Sequence, residues 1–381
     1  MSKLLAGPIG PVGQKVRQNT KRRMKAASRG KPERRLHQIM KRHGKLWERI
    51  TDIENLYDAY RRARKGKSWQ NKVKRFESNL DVNLAHIRKV LLDKTFATSS
   101  YVEKIIYEPK MRTIYKLPFS PDRIVQHALM NVLEPIWSKL FISDSYACLI
   151  GRGIHAGSKR AMEFVRRNRY CLKMDISKFY PSVDHDILFE IVKRKIKCTD
   201  TLWLIQNIID SFPGGKNVPI GNYTSQWFGN LYLNELDQFI KHNERVKDYV
   251  RYCDDFCLFS NDKGHLNDLA QKIRKFLSEN LELALSKCDL FPVSRGVDFL
   301  GYRHFPRYIL IRKSTVKRVK KRLALFPSLF WAGKISREQI ISSIASTLGW
   351  LKWANSHNLF LSLGLDSLME ICRDGNPEAV Q

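Results

Sequence analysis

The stretch DYVRYCDDFCLFSND, residues 248–262, limits the possible folds of this chain more than any other, because it sets two adjacent carboxylates, Asp254 and Asp255, between short runs rich in Tyr, Val, Phe and Cys. Burying unpaired carboxylates is costly, and adjacent like charges raise each other's pKa, so the pair persists only beside cations. The flanks read as strands, and Asp254-Asp255 as the two-residue turn of a β-hairpin. Such a turn lifts both acids to the tip of a sheet, where they suit hard cations such as Mg2+. The plain alternative is a surface turn, since Asp favours turns in general.

A cation-rich chain surrounds these acids. Lys and Arg number 68 against 37 Asp and Glu, a net charge of +31, far beyond what solubility requires. The charge points to a polyanionic partner. A membrane surface would also attract it, but no apolar run reaches the ~18 residues of a bilayer span and no signal-peptide core is evident, so nucleic acid is the better partner. With 381 residues, 43% of them hydrophobic, the chain can bury a sizeable core in several subdomains. Its seven cysteines are scattered without a CxxC pair and read as reduced thiols of a cytoplasmic protein.

Residues 1–35 hold eleven Lys or Arg against one acid, Glu33, and read as a basic arm. Apolar residues at helical spacing follow over 36–94. Residues 101–118 resemble two strands around Glu108-Pro109-Lys110, and a helix follows from Pro121. The segment YCLKMDISKFYPSVDHDIL (170–188) is a strand ending at Asp175, a turn, and a helix starting near Asp184. A further helix has Ser225 as its N-cap and Phe228, Leu231, Tyr232, Leu236 and Phe239 on one core-facing side. Past the hairpin come a helix near 264–280, short strands around 283–302, and helices at about 312–326, 336–354 and 357–370. Between Arg303 and Arg322 there are nine Lys or Arg and no acid; so many like charges need an anion, and duplex backbone fits.

Three acids at strand ends in a strongly basic chain are what two-metal phosphoryl transfer needs. Here the sequence resembles a family. RYCDDF is similar to the YxDD box of reverse transcriptases, and that family's other motifs follow in order. They are MRTIYKLPFSPDRIVQHAL, GRGIHAGSKRA, KMDISKFYPSVDHDIL with Asp175, PIGNYTSQWFGNLYLNELD, LELALSKCDLF, and VDFLGY of the primer grip. The resemblance covers residues 45–365 and implies an α+β right-hand polymerase fold. Its parts would be a basic arm (1–35), amino-terminal helices and fingers (36–168), a palm of antiparallel sheet plus helices (169–302), and a helical thumb with the tail (303–381). Where many relatives have Gln-Gly, this pocket motif has Ile220-Gly221, ending in Ser225-Gln226. With GWLKWANSHNL near the carboxyl terminus, it is similar to the enzymes of diversity-generating retroelements, which copy a template RNA into cDNA with errors opposite adenine. An antiphage reverse transcriptase and an RNA-binding scaffold with a vestigial site are the alternatives.

The resemblance implies a role for each site residue. Asp175, Asp254 and Asp255, with the carbonyl of Ile176, hold two Mg2+ ions, Mn2+ being the alternative. Tyr180, or Phe179 beside it, blocks a ribose 2′-hydroxyl. Arg112 and Lys116 suit the triphosphate of an incoming dNTP, Ile220, Gly221 and Gln226 line its pocket, and Lys287 stands near the phosphates as a candidate general acid. Arg152, Arg312, Lys313, Lys317, Lys320 and Lys321 suit template RNA or the RNA/cDNA duplex. His155 reads as a structural hydrogen-bonder, and Cys253 and Cys257 as packing residues. The implied protein partner is a small, basic, helical accessory protein, with no membrane.

Overall fold

A computed structural model describes residues 42–107, 111–365 and Leu368. The basic arm, the tip Glu108-Pro109-Lys110 and the end of the helix expected at 357–370 lie outside the described residues.

The helical spacing of the first part is realised as α1 (Trp47–Ile50), α2 (Ile53–Arg64), α3 (Asn71–Glu77) and α4 (Leu80–Leu92). In α2, Leu56, Ala59, Tyr60 and Ala63 face inward while Arg61, Arg62 and Arg64 stay in solvent, the division an amphipathic helix requires. The antiparallel pair β1 (Val102–Ile106) and β2 (Arg112–Lys116) comes next, then α5 (Ile124–Trp137) and α6 (Ile154–Arg167). Strand β3 (Tyr170–Ile176) leads through α7 (Phe179–Ser182) into α8 (His185–Lys193). The N-cap of α8 is Asp184, whose carboxylate accepts from the Ile187 N–H at 3.1 Å, as expected. After α9 (Thr199–Ile209) and α10 (Tyr223–Gln238) come β4 (Tyr249–Tyr252), β5 (Asp255–Ser260), α11 (Lys263–Asn280) and β6 (Leu285–Pro292). Three short strands, β7 (Val297–Phe299), β8 (Tyr302–His304) and β9 (Ile309–Ile311), form a sheet of their own. The chain closes with α12 (Lys313–Ala324), α13 (Phe326–Trp331), α14 (Arg337–Leu351) and α15 (His357–Ser362).

The central sheet is antiparallel throughout, in the order β4-β5-β3-β6. Alternation along its strands divides two cores. Leu172, Met174, Phe256 and Leu258 face the large core, which is shared with α5, α10 and α11. Cys171, Cys257, Phe259 and Val250 face a smaller one, closed by α6 and by Val297 and Phe299 of β7. Asp175 and Asp255 share this second face. A third apolar cluster holds α12, α13 and α14 together through Leu323, Phe326, Phe330, Ile340 and Ile344.

Two expectations are corrected. The hairpin turn is Cys253-Asp254, not Asp254-Asp255: Tyr252 pairs with Asp255, and Cys253 takes the positive φ (53°) of the turn. Ser225 is not the N-cap of α10; the helix begins at Tyr223 after Asn222, and the Ser225 hydroxyl donates to the Pro219 carbonyl at 2.7 Å. Phe239 stays on the core side as expected, in the π-helical turn that continues α10, where it packs against the large core and stacks on Phe276 at 4.3 Å.

Candidate functional site

The site is built by strand register. Asp175, near the end of β3, stands opposite Asp255 of β5 on one side and Lys287 of β6 on the other. Paired residues of antiparallel strands project to the same side, so these three side chains share one face. Asp254 enters through the turn, its carbonyl accepting from the Ile176 N–H at 3.2 Å.

Each β-strand acid has a neighbour of its own. Ser286 donates to Asp175 Oδ2 at 2.6 Å and to its carbonyl at 3.1 Å, reached through a register shift in β6 between the partners of Asp175 and Ile176. Lys173 donates to Asp255 Oδ2 at 3.2 Å, while Asp255 Oδ1 is buried with no hydrogen-bond partner. Burial raises the Asp255 carboxyl to about 6, against the opposing pull of Lys173 and with further help from Asp175 and Asp254. Among the described residues no three His, Cys, Asp or Glu side chains have closed into a ligand set: the acids are adjacent, but two are turned to Ser286 and Lys173.

Beneath the turn lies a pair that the sequence did not disclose. Arg251 and Asp237 are fully buried, joined by Nε–Oδ1 at 2.7 Å and Nη2–Oδ2 at 2.5 Å, and Tyr249 donates to Asp237 Oδ1 at 2.7 Å. Arg251 Nη1 reaches the carbonyl of Cys253 at 3.1 Å, so α10 is joined to the acid turn through Arg251. Arg251 sits in an apolar run, and only its inward-facing position could have marked it.

The residues expected to line a nucleotide pocket lie on α7, on β2 and around the start of α10. Tyr180 is half-buried, its hydroxyl pushed well above the ordinary phenol range by burial. Its ring rests on α10 at Gly229, where a Cβ would lie 3.1 Å from Tyr180 Cε1 and from Phe179 Cε1. Phe179 is buried in the large core, whereas Tyr180 packs against the same core and stays half-buried. Ile220 is fixed by its carbonyl, which accepts from the Tyr115 N–H of β2 at 2.8 Å. Gly221, at φ +120°, approaches the same strand so closely that a Cβ would meet Ile114 Cγ2 at 2.6 Å. Arg112 and Lys116 are exposed and lie on one face of β2, and Gln226 is exposed at the start of α10.

The expected nucleic-acid residues divide into two groups. Lys313, Lys317, Lys320 and Lys321 are exposed, and their spacing puts them along one side of α12. Arg312 is ion-paired with Asp298, and Arg152 Nη1 donates to the carbonyls of Ile142 (2.6 Å) and Ser145 (2.8 Å). These two act within the protein here, Arg152 as a brace for its own loop. His155 is structural as expected: it hydrogen-bonds Tyr302 at 3.1 Å and stacks on Trp353 at 4.8 Å between centroids. Cys257 is buried in the smaller core, and both it and Cys253 are free thiols. No helix among the described residues is long and apolar enough to cross a membrane.

The sequence is similar to those of known proteins. Protein YkfC of Escherichia coli (strain K12) is 25% identical over 327 residues, spanning 70% of this chain and 84% of that protein. The retron Ec73 reverse transcriptase of Escherichia coli is 26% identical over 240 residues, 55% of this chain and 73% of the relative. The group II intron-encoded protein LtrA of Lactococcus lactis subsp. cremoris is 24% identical over 291 residues, 56% of this chain and 47% of LtrA. The family described as reverse transcriptase (RNA-dependent DNA polymerase) matches residues 105–304, more than half of the 381. That match runs from the end of β1 through β8 and takes in Asp175, the acid turn, Lys287 and the pocket, and the chain belongs to the reverse transcriptase family.

Proposed function

We propose that this reverse transcriptase uses two divalent cations, held by Asp175, Asp254 and Asp255, to copy an RNA template into error-prone cDNA. The register that sets Asp175 between Asp255 and Lys287 carries the reading. An all-oxygen donor set and the buried, unpartnered Asp255 Oδ1 fit hard cations such as Mg2+, with Mn2+ as the alternative, and the Ile176 carbonyl completes the set. Bound there, such cations lower the pKa of the primer 3′-hydroxyl and offset triphosphate charge.

The remaining work falls to the protein. Ser286 orients Asp175; Arg112 and Lys116 receive the triphosphate; Lys287 stands on the phosphate side; and the Tyr180 ring, seated on Gly229, occupies the space a 2′-hydroxyl needs. The lysines of α12 hold duplex backbone. In this reading 36–168 are amino-terminal helices and fingers, 169–302 the palm, and 303–381 the thumb with the tail, with residues 1–35 a basic arm for structured RNA. Asp254→Asn tests the core of it: cDNA synthesis should be lost while RNA binding, supplied by many Lys and Arg, survives. Extension within about threefold of wild type would refute the assignment.

Ile220 supports the finer reading, a mutagenic enzyme of a diversity-generating retroelement working in the cytoplasm with a small basic accessory protein. An Ile there offers the nascent pair no hydrogen bond, and such a contact is worth ~0.5–1.5 kcal/mol, or about threefold to tenfold in discrimination. Ile220→Gln should lower misincorporation opposite template adenine more than opposite other bases, at preserved extension, as read by sequencing the products of a defined RNA template. Wild-type errors spread evenly over the bases would favour a retron-like or antiphage enzyme instead.

A further inference from the structure

Lys173 has no part in the chemistry above, yet it is among the most deeply built cations of the site. Two residues before Asp175 on β3, it shares that residue's face. Its side chain is only 16% exposed, and its ammonium donates both to Asp255 Oδ2, at 3.2 Å, and to the backbone carbonyl of Asp298 in β7. The Phe299 ring centroid lies 5.8 Å away. The Asp298 carboxylate is in turn ion-paired with Arg312, the residue that opens α12, and the Arg312 N–H donates to the Gly301 carbonyl at 3.0 Å. An unbroken series of polar contacts thus runs from Asp255 through Lys173, Asp298 and Arg312 to the basic helix.

We infer that Lys173 is a positioning residue that makes divalent-cation binding at the acid site and duplex binding on α12 depend on each other. An ammonium beside Asp255 holds that carboxylate in place and also competes with an incoming cation for it, since like charges at this distance repel. Its closeness to Asp255 is set by β7, and β7 is tied to α12 through Arg312. A duplex that fixes α12 therefore fixes the competitor, and linkage requires the converse: bound cation changes duplex affinity by the same factor. The inference rests on the reading of the three Asp as metal ligands.

The test uses the full chain without dNTPs, so no turnover intervenes. Mn2+ binding to the duplex-free protein is measured by calorimetry, and affinity for a labelled RNA/DNA primer–template by anisotropy at constant ionic strength, with and without Mn2+. Lys173→Met should bind Mn2+ at least threefold more tightly than wild type, yet extend primers more slowly. Its ratio of duplex affinities with and without Mn2+ should move to that of Asp254→Asn, while Lys173→Arg stays within twofold of wild type on every reading. Arg312→Met should keep duplex-free Mn2+ affinity within twofold and move the ratio at least twofold toward that of Asp254→Asn. Lys173→Met with wild-type Mn2+ affinity, or Arg312→Met with the wild-type ratio, would overturn the inference. Asp254→Asn that binds Mn2+ like wild type would instead overturn the metal-ligand reading beneath it.

Discussion

A carboxylate placed like Asp255 is more stable neutral than charged. Its pKa in the folded protein, about 6, lies above its ordinary value of 3.8, so its contribution to stability is full below pH 3.8 and lost as pH rises through 6. At pH 8 without divalent cations the strain is ~2–3 kcal/mol at most. Asp255→Asn in a chelator at pH 8 should therefore melt roughly 2–4 °C above wild type by scanning calorimetry, and the gain should vanish at pH 4. At Tyr180, replacement by Val should lower the preference for dNTP over rNTP; an unchanged ratio in single-nucleotide extension would remove the ring from the pocket. That Asp175 meets Asp255 and Lys287 across neighbouring strands was legible, because carboxylates at strand ends within ordered motifs leave few other placements. Lys173, Arg251 and Asp237 were not. Lys173 and Arg251 are charges inside apolar runs, and each has its partner on another element, 82 positions away for Lys173 and Asp255 and 14 for Arg251 and Asp237.

Elements were more legible than their ends. Helical periodicity found α2, α4, α5 and α11, and short apolar and aromatic runs found β3, β4 and β5, but the hairpin turn was read one residue late. Two adjacent Asp resemble a turn more than Cys-Asp does, whereas pairing across to Tyr252 and Asp175 makes Asp255 a strand residue. Ser225 was likewise taken for a cap because its hydroxyl suits one; Pro219 claims that hydroxyl instead. The join between α10 and β4 is the element-scale feature with the largest energetic consequence. Removing one partner of a buried ion pair leaves the other charge uncompensated, at ~3–5 kcal/mol. Asp237→Ala should lower the melting temperature by several degrees and abolish extension, whereas Arg251→Met paired with Asp237→Leu should recover most of the lost stability.

At the scale of the whole molecule the right-hand polymerase architecture follows from one antiparallel sheet with an apolar core on each face, and a net charge of +31 sets the terms of binding. The four lysines along α12 have no ion-pair partner among the described residues. Changing all four to Gln should weaken primer–template binding across all sequences and flatten its salt dependence by about 3–4 in log–log slope, at ~0.9 per phosphate contact. An unaltered slope would place the duplex elsewhere. Charge of this kind was fully legible, whereas its division between partners in solution and partners inside the protein was not, as Arg152 and Arg312 demonstrate. The Arg251–Asp237 pair also bears on how such an enzyme can change over generations. Through Arg251, α10 is joined to the acid turn, so that in the proposed reading the helix beside the nucleotide and the turn beside the metals share one support. Lineages selected for a different error rate through substitutions along α10 would then change speed as well, and laboratory variants that separate the two traits should carry compensating changes around residues 237 and 251.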